Sequence, residues 1–269
     1  MASVTAVFYR GPSLLDGAPI VGLLSGLDGQ STNAKTGPVC QSYILRADVS
    51  PMDALRAGDD VSICGDCKLR GVGGYDRRCY VTTSYGPAQV WKRYAAGAAV
   101  EASWPELQAI VEGRVLRLGT YGDPAAIPFE VWKTLLASAS SWLAYTHAWK
   151  RCDPRFKTIC MASVDTIDEF HAAHLAGWRT FRVRSRRDDL IEIQNITARN
   201  KPYSQPLEFV CPASDEAQHL TTCADCRLCR GTSSPARSVA IYPHGKPTTL
   251  KAYGIKVDFF RRRAEAQPA

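Results

Sequence analysis

Four cysteines in the last quarter of the chain have the spacing of metal ligands. Cys211 is followed directly by a proline, and Cys223, Cys226 and Cys229 recur at every third position. A cubane iron–sulfur cluster takes four thiolates, three of them from one tight turn and a fourth from elsewhere. Zinc is the alternative, because two cysteines separated by two residues supply half of a tetrahedral zinc site. The spacing predicts a metal centre on these four cysteines, with a [4Fe–4S] cluster favoured over zinc.

A second group of cysteines, Cys64, Cys67 and Cys79, frames a glycine-rich basic loop. Three thiols that held a cubane would leave one iron without a protein ligand, and an open metal position is where substrate or cofactor chemistry takes place. If the group holds zinc, Cys40, a histidine or water completes the site. A further interpretation is that the first two cap a turn and Cys79 packs as a small apolar side chain. We predict that the three come together and help to bind metal.

The N-terminal residues and the lengths of the apolar runs indicate in which cellular compartment the protein is expected. Residues 1–29 contain no basic stretch followed by an apolar core and a small-residue cleavage site, so no secretory signal is expected. In a reducing cytoplasm cysteines serve as metal ligands rather than as disulfides. No stretch approaches the roughly 20 apolar residues of a membrane span. The sequence therefore predicts a cytoplasmic protein that has no membrane partner and uses its cysteines for metal.

From about residue 110 the chain alternates between short apolar runs and amphipathic stretches. We predict strands over 115–118, 142–145, 158–161, 180–183, 207–210 and 239–242. Helices are predicted over 128–139 and over 167–176, the second capped by Asp165 or Thr166. Strand and helix in alternation favour a parallel sheet with right-handed crossovers. Residues 1–109 are less regular and are predicted to be a cysteine-bearing N-terminal extension, integrated with the rest in one domain.

Reactive or permissive side chains follow almost every predicted strand. Asp123 and His147, each just after a strand, are the predicted catalytic residues; Tyr121, Thr146 and Ser163 are the predicted cofactor-binding residues. Barrel enzymes place their sites at the face where the carboxyl ends of the strands meet. We therefore predict an α/β fold that forms an incomplete (β/α) barrel, although a doubly wound sheet also fits the alternation. A purely structural Asp-Pro turn is the alternative for Asp123.

The net charge of +7 is concentrated in three basic segments, which are residues 68–78, 179–187 and 256–263. Basic segments that also carry aromatic side chains bind phosphate backbones. A nucleic-acid-binding protein whose metal sites are structural is therefore the alternative to an enzyme. The chain contains no Walker loop, dinucleotide fingerprint, Gly-x-Ser-x-Gly elbow or His-Glu-x-x-His pair, so ATP hydrolysis, hydride transfer and serine hydrolase chemistry lack support.

Several segments together give the chain a family resemblance. They are Ser62–Cys67 with Cys79, Arg117–Pro124, and Cys211–Ser214 with Thr222–Cys226. Through them the chain resembles a loose group of phage- and plasmid-encoded proteins that look like radical-SAM-type barrels. The resemblance implies a barrel and a bound iron–sulfur cluster, but it names no substrate.

The enzyme hypothesis combines this resemblance with the residues after the strands. A cluster near the barrel mouth would act with Asp123 and His147 on a small molecule or a nucleotide, with S-adenosylmethionine (SAM) as a possible cofactor. Radical-SAM enzymes usually space their ligands Cys-x-x-x-Cys-x-x-Cys. Here two residues separate Cys64 from Cys67 and eleven separate Cys67 from Cys79. The chain thus departs from the family at the position where SAM would bind, and a structural or redox cluster remains an alternative.

Overall fold

A computed structural model describes residues 4–27, 33, 35–184, 192–196, 202–244 and 247–253. The strands in this part are Ala6–Pro12 (β1), Pro19–Ser25 (β2), Cys40–Arg46 (β3), Val100–Glu101 (β4), Val115–Tyr121 (β5), Ser141–Thr146 (β6), Met161–Val164 (β7), Thr180–Val183 (β8), Glu192–Ile196 (β9), Pro202–Pro206 (β10), Glu208–Val210 (β11) and Ser238–Ile241 (β12). The helices are Pro51–Ala57 (α1), Val61–Cys64 (α2), Gly86–Ala95 (α3), Trp104–Val111 (α4), Phe129–Leu136 (α5), Ile167–Leu175 (α6), Cys223–Cys226 (α7) and Pro247–Ala252 (α8). Over these residues, no helix is both long enough and apolar enough to cross a membrane.

Ten strands form one sheet in the order β11-β12-β8-β7-β6-β5-β3-β2-β1-β4, and β9 pairs separately with β10. From β3 to β11 every neighbouring pair is parallel. β2 runs antiparallel to both β1 and β3, and β4 runs parallel to β1. As described, the sheet has two edges, β11 and β4, and does not close. The predicted α/β class with a mostly parallel sheet is confirmed.

Residues 1–109 contribute to this same sheet. β1 to β4 all lie in that range and pair, directly or through one another, with β5. Residue 109, where the predicted extension ends, lies inside α4. The cysteine-bearing segment that contains Cys64, Cys67 and Cys79 follows β3, so it leaves the carboxyl end of a strand that is parallel to β5.

One predicted strand was wrong in position. Residues 158–161 were predicted to be extended, but Pro154–Thr158 is a 3-10 helix and the strand begins only at Met161. Asp153 caps the turn by accepting a hydrogen bond from the N–H of Arg155 at 2.9 Å, and Pro154 occupies the first position. A capping aspartate followed by proline favours helical backbone, which outweighs the β preference of the apolar residues that follow.

The residues of β5 separate the two faces of the sheet. Leu116 and Leu118 are buried in the main hydrophobic core with Trp132 of α5. Arg117, which stands between them in sequence, lines a large cavity instead. Successive side chains of a strand point to opposite faces, so this alternation assigns one face to the helices and the other to the cavity.

Two glycines shape the turn after β5. Gly119 has φ +66° and Gly122 has φ +89°, which are left-handed values that side chains other than glycine rarely adopt. A Cβ on Gly119 would collide with the carbonyl oxygen of Gly122, and one on Gly122 would lie 2.6 Å from Cβ of Ile44. The turn therefore requires glycine at both positions, and it brings the N–H of Asp123 to 2.5 Å from the carbonyl oxygen of Ile63.

Candidate active site

A cavity of about 680 Å³ lies at the carboxyl ends of the parallel strands. Its lining includes Cys64, Cys67 and Cys79 from the loop after β3, and Cys223 from α7. A second, smaller cavity of about 20 Å³ shares several lining residues with it. That cavity is lined by all four cysteines of the other predicted group, which are Cys211, Cys223, Cys226 and Cys229. The two cysteine groups therefore border adjoining spaces, although they are far apart in sequence.

Backbone hydrogen bonds anchor the four-cysteine group to the sheet. The N–H of Cys211 donates to the carbonyl oxygen of Ala240 in β12, and the carbonyl oxygen of Cys229 accepts from Ala144 in β6. The N–H of Cys223 donates to the carbonyl oxygen of Lys35 at 2.9 Å. These contacts hold the β11 end, the α7 turn and the segment at Lys35 around one small cavity.

The surroundings of the four thiols combine burial with positive charge. Burial raises the pKa of Cys229 to about 12, and the neighbouring thiols act in the same direction. A free Cys229 is therefore a neutral thiol at pH 7, and a metal ion would displace its proton, since thiolate is the ligand form. Burial also lowers the pKa of Lys35, while Cys211 and Cys223 counteract that shift. A lysine ammonium thus lies within electrostatic reach of the thiols.

Ion pairs and backbone contacts hold the loop that carries the second cysteine group. The carboxylate of Asp60, which is fully buried, lies 2.5 Å from Nη1 of Arg70 and 4.0 Å from Nη1 of Arg77. The N–H of Cys79 donates to the carbonyl oxygen of Leu69 at 2.7 Å. The ion pairs and the backbone hydrogen bond therefore connect the two ends of this loop.

The three thiols of this group influence one another. Burial raises the pKa of Cys64 well above its ordinary value, and the thiols of Cys67 and Cys79 raise it further. Burial also raises the pKa of Cys79, but an N–H from Val81 donates to its sulfur and opposes that shift. An N–H directed at sulfur stabilises the thiolate. Cys226 receives the same kind of hydrogen bond from Leu228.

All ten cysteines are unbridged. Within the described part of the chain, no group of three or more His, Cys, Asp or Glu side chains is arranged so that it could hold a metal ion. The four thiols of the Cys211 group nevertheless border one small cavity beside Lys35, and sulfur is a ligand type that iron and zinc accept. Metal binding by either group therefore stays a prediction.

Asp123 braces the ends of two strands. It is 7 % exposed; Oδ1 accepts from the N–H of Ala125 at 2.9 Å, and Oδ2 accepts from the N–H of His147 at 2.8 Å and of Ala148 at 3.4 Å. Burial raises the pKa of this carboxyl, which the hydrogen bonds, including one with Thr146, oppose. Asp123 lines the large cavity as predicted, and it joins the turn after β5 to the end of β6.

The imidazole of His147 lies beside the Cys64 group. Its Nε2 is buried without a hydrogen-bond partner and stands 3.8 Å from Oδ1 of Asp165. Burial lowers the pKa of His147, but Asp165 and the sulfur of Cys67 outweigh burial and raise the pKa well above its ordinary value. The ring borders both the cavity and a cysteine of the candidate metal group.

The predicted cofactor-binding residues divide into two kinds. Tyr121 and Ser163 line the large cavity, and the hydroxyl of Tyr121 is buried without a hydrogen-bond partner. Burial raises the pKa of Tyr121, so its hydroxyl stays protonated. Thr146 does not line the cavity; its Oγ1 accepts from the N–H of Ala148 at 3.0 Å. Thr146 therefore supports the strand end rather than facing a ligand.

The sequence assigned no site role to a group of cavity residues that includes two cations. Lys35, Tyr80, Arg117 and His244 all line the cavity. The signal for one of them lay in the sequence, because Arg117 interrupts the apolar run of β5. A charged residue in a buried strand calls for a partner or a function.

The described cations of the predicted basic segments have partners within the fold. In the loop after α2, Lys68 lies 3.2 Å from Glu169, and Arg70 and Arg77 reach Asp60. In and around β8, Arg179 donates to backbone carbonyl groups, Arg182 pairs with Glu208, and Arg184 pairs with Glu216. Residues 185–187 and the segment 256–263 lie outside the described residues. The described cations therefore form internal contacts rather than a free basic surface.

Glu169 connects α6 to the cysteine loop, and we expect this contact to make stability depend on pH. Burial disfavours its charge, but the N–H of Asp165 and the ammonium groups of Lys150 and Lys68 outweigh burial and hold its pKa at about 2. Because the folded-state pKa lies below the unfolded value near 4.5, this stabilisation is present above pH 4.5 and is lost as the pH falls towards 2. Glu169→Gln should lower the free energy of unfolding at pH 7 by about 1–2 kcal/mol, since both lysines are partly solvated.

Urea unfolding at pH 7 and at pH 3 would measure how the stabilisation from Glu169 depends on pH. Asp168→Asn is the control, because Asp168 is the adjacent acidic residue and is exposed. We expect the control to leave stability within about 0.5 kcal/mol of the unchanged protein. Equal effects of the two substitutions at both pH values would contradict the assigned role of Glu169.

The candidate site thus consists of two cysteine groups, the imidazole of His147, the bracing side chain of Asp123 and two cations at the ends of parallel strands. What it does is inferred from its own residues and geometry. Comparisons with protein-family models, with curated proteins and with solved structures found no match to this chain.

Proposed function

We propose that this chain is a cytoplasmic metal-thiolate enzyme that acts on a small molecule in the large cavity. The observation that carries the proposal is that the Cys64 group and the Cys211 group border adjoining spaces at one end of the sheet. A purely structural zinc site needs no adjoining cavity of about 680 Å³, whereas a ligand site does. The unbridged state of all ten cysteines supports a reducing compartment.

The strand order supports the finer interpretation of the fold as an incomplete (β/α) barrel. From β3 through β5, β6, β7 and β8 to β12, neighbouring strands of the sheet follow chain order. Two strands of this sheet depart from the succession: β4 lies beside β1, and β11 lies outside β12. A doubly wound sheet instead reverses its strand order at a switch point and binds its ligand there. A succession without that reversal is the arrangement of a barrel, whose sites lie at the carboxyl ends of the strands.

The two cysteine groups would have different roles in this enzyme. Cys211, Cys223, Cys226 and Cys229 would hold one centre with four thiolates, and Cys64, Cys67 and Cys79 would hold another with an open position. A [4Fe–4S] cluster, favoured over zinc, supplies electron transfer and a ligand position when it is bound. SAM as a cofactor rests on the resemblance to radical-SAM-type barrels alone.

The chain's own side chains would prepare the cavity for such chemistry. Asp123 fixes the backbone of His147, whose ring carries a proton beside Cys67. The unpartnered hydroxyl of Tyr121 is available to donate to a ligand. Apolar side chains that include Leu143 and Phe181 line the same space and would exclude water from it. The internal pairing of the described cations favours this enzyme over a nucleic-acid-binding protein.

Metal analysis of anaerobically purified protein tests the proposal. We expect brown protein that contains iron and acid-labile sulfide, because cubane clusters absorb visible light through thiolate-to-iron charge transfer. Zinc in place of iron would reverse the choice of metal. Protein that holds neither metal, even after reconstitution, would overturn the proposal, and salt-dependent binding to DNA or RNA would then favour the alternative. Formation of 5′-deoxyadenosine on reduction with SAM tests the SAM component separately.

A further inference from the structure

Arg117 is a buried cation, and no anionic side chain among the described residues is paired with it. It lies in β5, is 9 % exposed and lines the large cavity. Its Nε is buried without a hydrogen-bond partner. In the described part of the chain, the groups that most raise its pKa are tyrosines and Cys223, none of which is a carboxylate, and its charge also acts on Lys35 and His244. Burying an unpaired charge is unfavourable. A buried cation without an anionic side chain beside it is therefore expected to pair with an anion that binds from solution.

A continuous set of side chains joins Arg117 to a second cation. The guanidinium of Arg117 donates to the hydroxyl of Tyr80, and the ring of Tyr80 lies 4.9 Å from the ring of His244. Nε2 of His244 is 3.3 Å from Nζ of Lys35. All four side chains line the large cavity, and we call them the cationic wall. Two cations thus face one space.

His244 leaves the positive charge of the cationic wall unchanged. Burial and the nearby ammonium of Lys35 lower its pKa to about 4, so the imidazole is neutral at pH 7. A neutral imidazole accepts a hydrogen bond from the lysine ammonium and leaves the positive charge of Lys35 uncancelled. Asp215 and Glu216, which also line the cavity, are paired with His219 and Arg184.

The thiols of the Cys211 group account for only part of this positive charge. Lys35 lies near Cys211, Cys223 and Cys229, so it is placed to balance thiolates there. Cys223 is the thiol that most affects Arg117, whose unpartnered Nε belongs to a side chain that lines the large cavity. The planar guanidinium presents a fork of N–H donors that matches the paired oxygens of a carboxylate or a phosphate.

The other walls of the cavity indicate what is attached to the anionic group. Leu143, Phe181, Val183 and Ile241 contribute apolar side chains to the lining. A cavity of about 680 Å³ is of the size that holds a metabolite, whereas an inorganic ion alone would fill little of it. An organic molecule that carries one oxyanion group fits both parts of the lining.

We propose that the cavity binds an organic oxyanion, a carboxylate or a phosphate ester, whose charged group pairs with Arg117 and Lys35. Its apolar body lies against Leu143 and Phe181. This inference rests on the proposed function, because it names the class of ligand bound in the cavity that we propose as the active site. Binding of the anion does not itself require that a metal be present.

Calorimetric titration of the full, metal-loaded chain tests the proposal with three probes of similar apolar body. Phenyl phosphate and phenylacetate carry the two kinds of oxyanion, and 2-phenylethanol is the neutral control. We expect at least one anion to bind, with affinity that falls as salt rises, and no binding of the alcohol. The anion that binds with the higher affinity shows whether the cationic wall prefers a carboxylate or a phosphate.

Variants connect that binding to the cationic wall. Arg117→Gln should weaken anion binding on the order of 30-fold or more, because the charge and the fork are both lost. Arg117→Lys should retain part of the affinity. Arg56→Gln, at an exposed arginine on α1, is the matched control and should bind as the unchanged protein does. If Arg117→Gln fails to fold, Tyr80→Phe replaces it with an expected loss of a few-fold, since the hydroxyl orients the guanidinium.

Metal content measured on the same samples separates the two proposals. Metal-loaded protein that binds neither anion at millimolar concentration overturns the oxyanion proposal and leaves the proposed function standing. Protein that binds an anion but never holds metal overturns the proposed function and leaves the oxyanion proposal standing. If Arg117→Gln loses the metal but binds the anion normally, then Arg117 balances thiolates and the oxyanion proposal is wrong.

Discussion

Cys226→Ser is expected to abolish metal binding at the Cys211 group while the chain remains folded. Cys226 ends α7 and lines the small cavity with Cys211, Cys223 and Cys229. A centre that has lost one of four thiolates loses most of its affinity, because serine is a poor ligand for iron and zinc. The side chain is only partly buried, so the exchange of sulfur for oxygen should cost little stability. Metal per chain and the far-ultraviolet circular dichroism spectrum are the measurements.

Two further variants make this result specific. Cys152→Ser is the matched control, because Cys152 is a partly buried, unbridged cysteine that belongs to neither group. Cys67→Ser should remove a separate share of the metal, and the double variant should remove all of it. A Cys226→Ser protein with the metal content of the unchanged protein would rule out a centre on these four cysteines. Loss of all metal in either single variant would indicate one shared centre.

Asp123→Ala should destabilise the fold by about 2–4 kcal/mol. A simple turn or cap would account for a loss on the order of 1 kcal/mol. The larger value follows from the buried N–H groups of Ala125, His147 and Ala148, which the carboxylate satisfies and alanine cannot. Because Asp123 joins the ends of β5 and β6, its loss should also loosen His147. The midpoint of urea unfolding measures the effect.

Asp153→Ala provides a closely matched control for Asp123→Ala. Asp153 also precedes a proline and accepts from the N–H two residues later, but it lies in a more exposed turn. Its replacement should cost about 1 kcal/mol, the value of a single cap. Equal losses for the two variants would show that Asp123 is only a cap. If Asp123→Ala keeps full stability and loses activity or ligand binding, the residue is catalytic rather than a brace.

Local signals in the sequence determined several elements and the composition of the candidate site. The strand predicted over 180–183 has the observed bounds of β8, and α6 begins after Thr166, whose side chain accepts from the N–H of Glu169 as a cap does. The cysteine spacing marked both groups. Such features depend on residues within a few positions of one another, which is the range over which sequence patterns act.

Only the tertiary structure decided which of these residues meet. The strand order brings the loop after β3 and the α7 turn to one cavity, although about 150 residues separate them in sequence. The direction of side chains along β5 turns Arg117 towards that cavity and away from the core. Burial, which no local pattern reports, made a brace of Asp123 and raised the proton affinity of Tyr121. Contacts of this kind depend on how distant segments pack together, so local sequence patterns do not predict them.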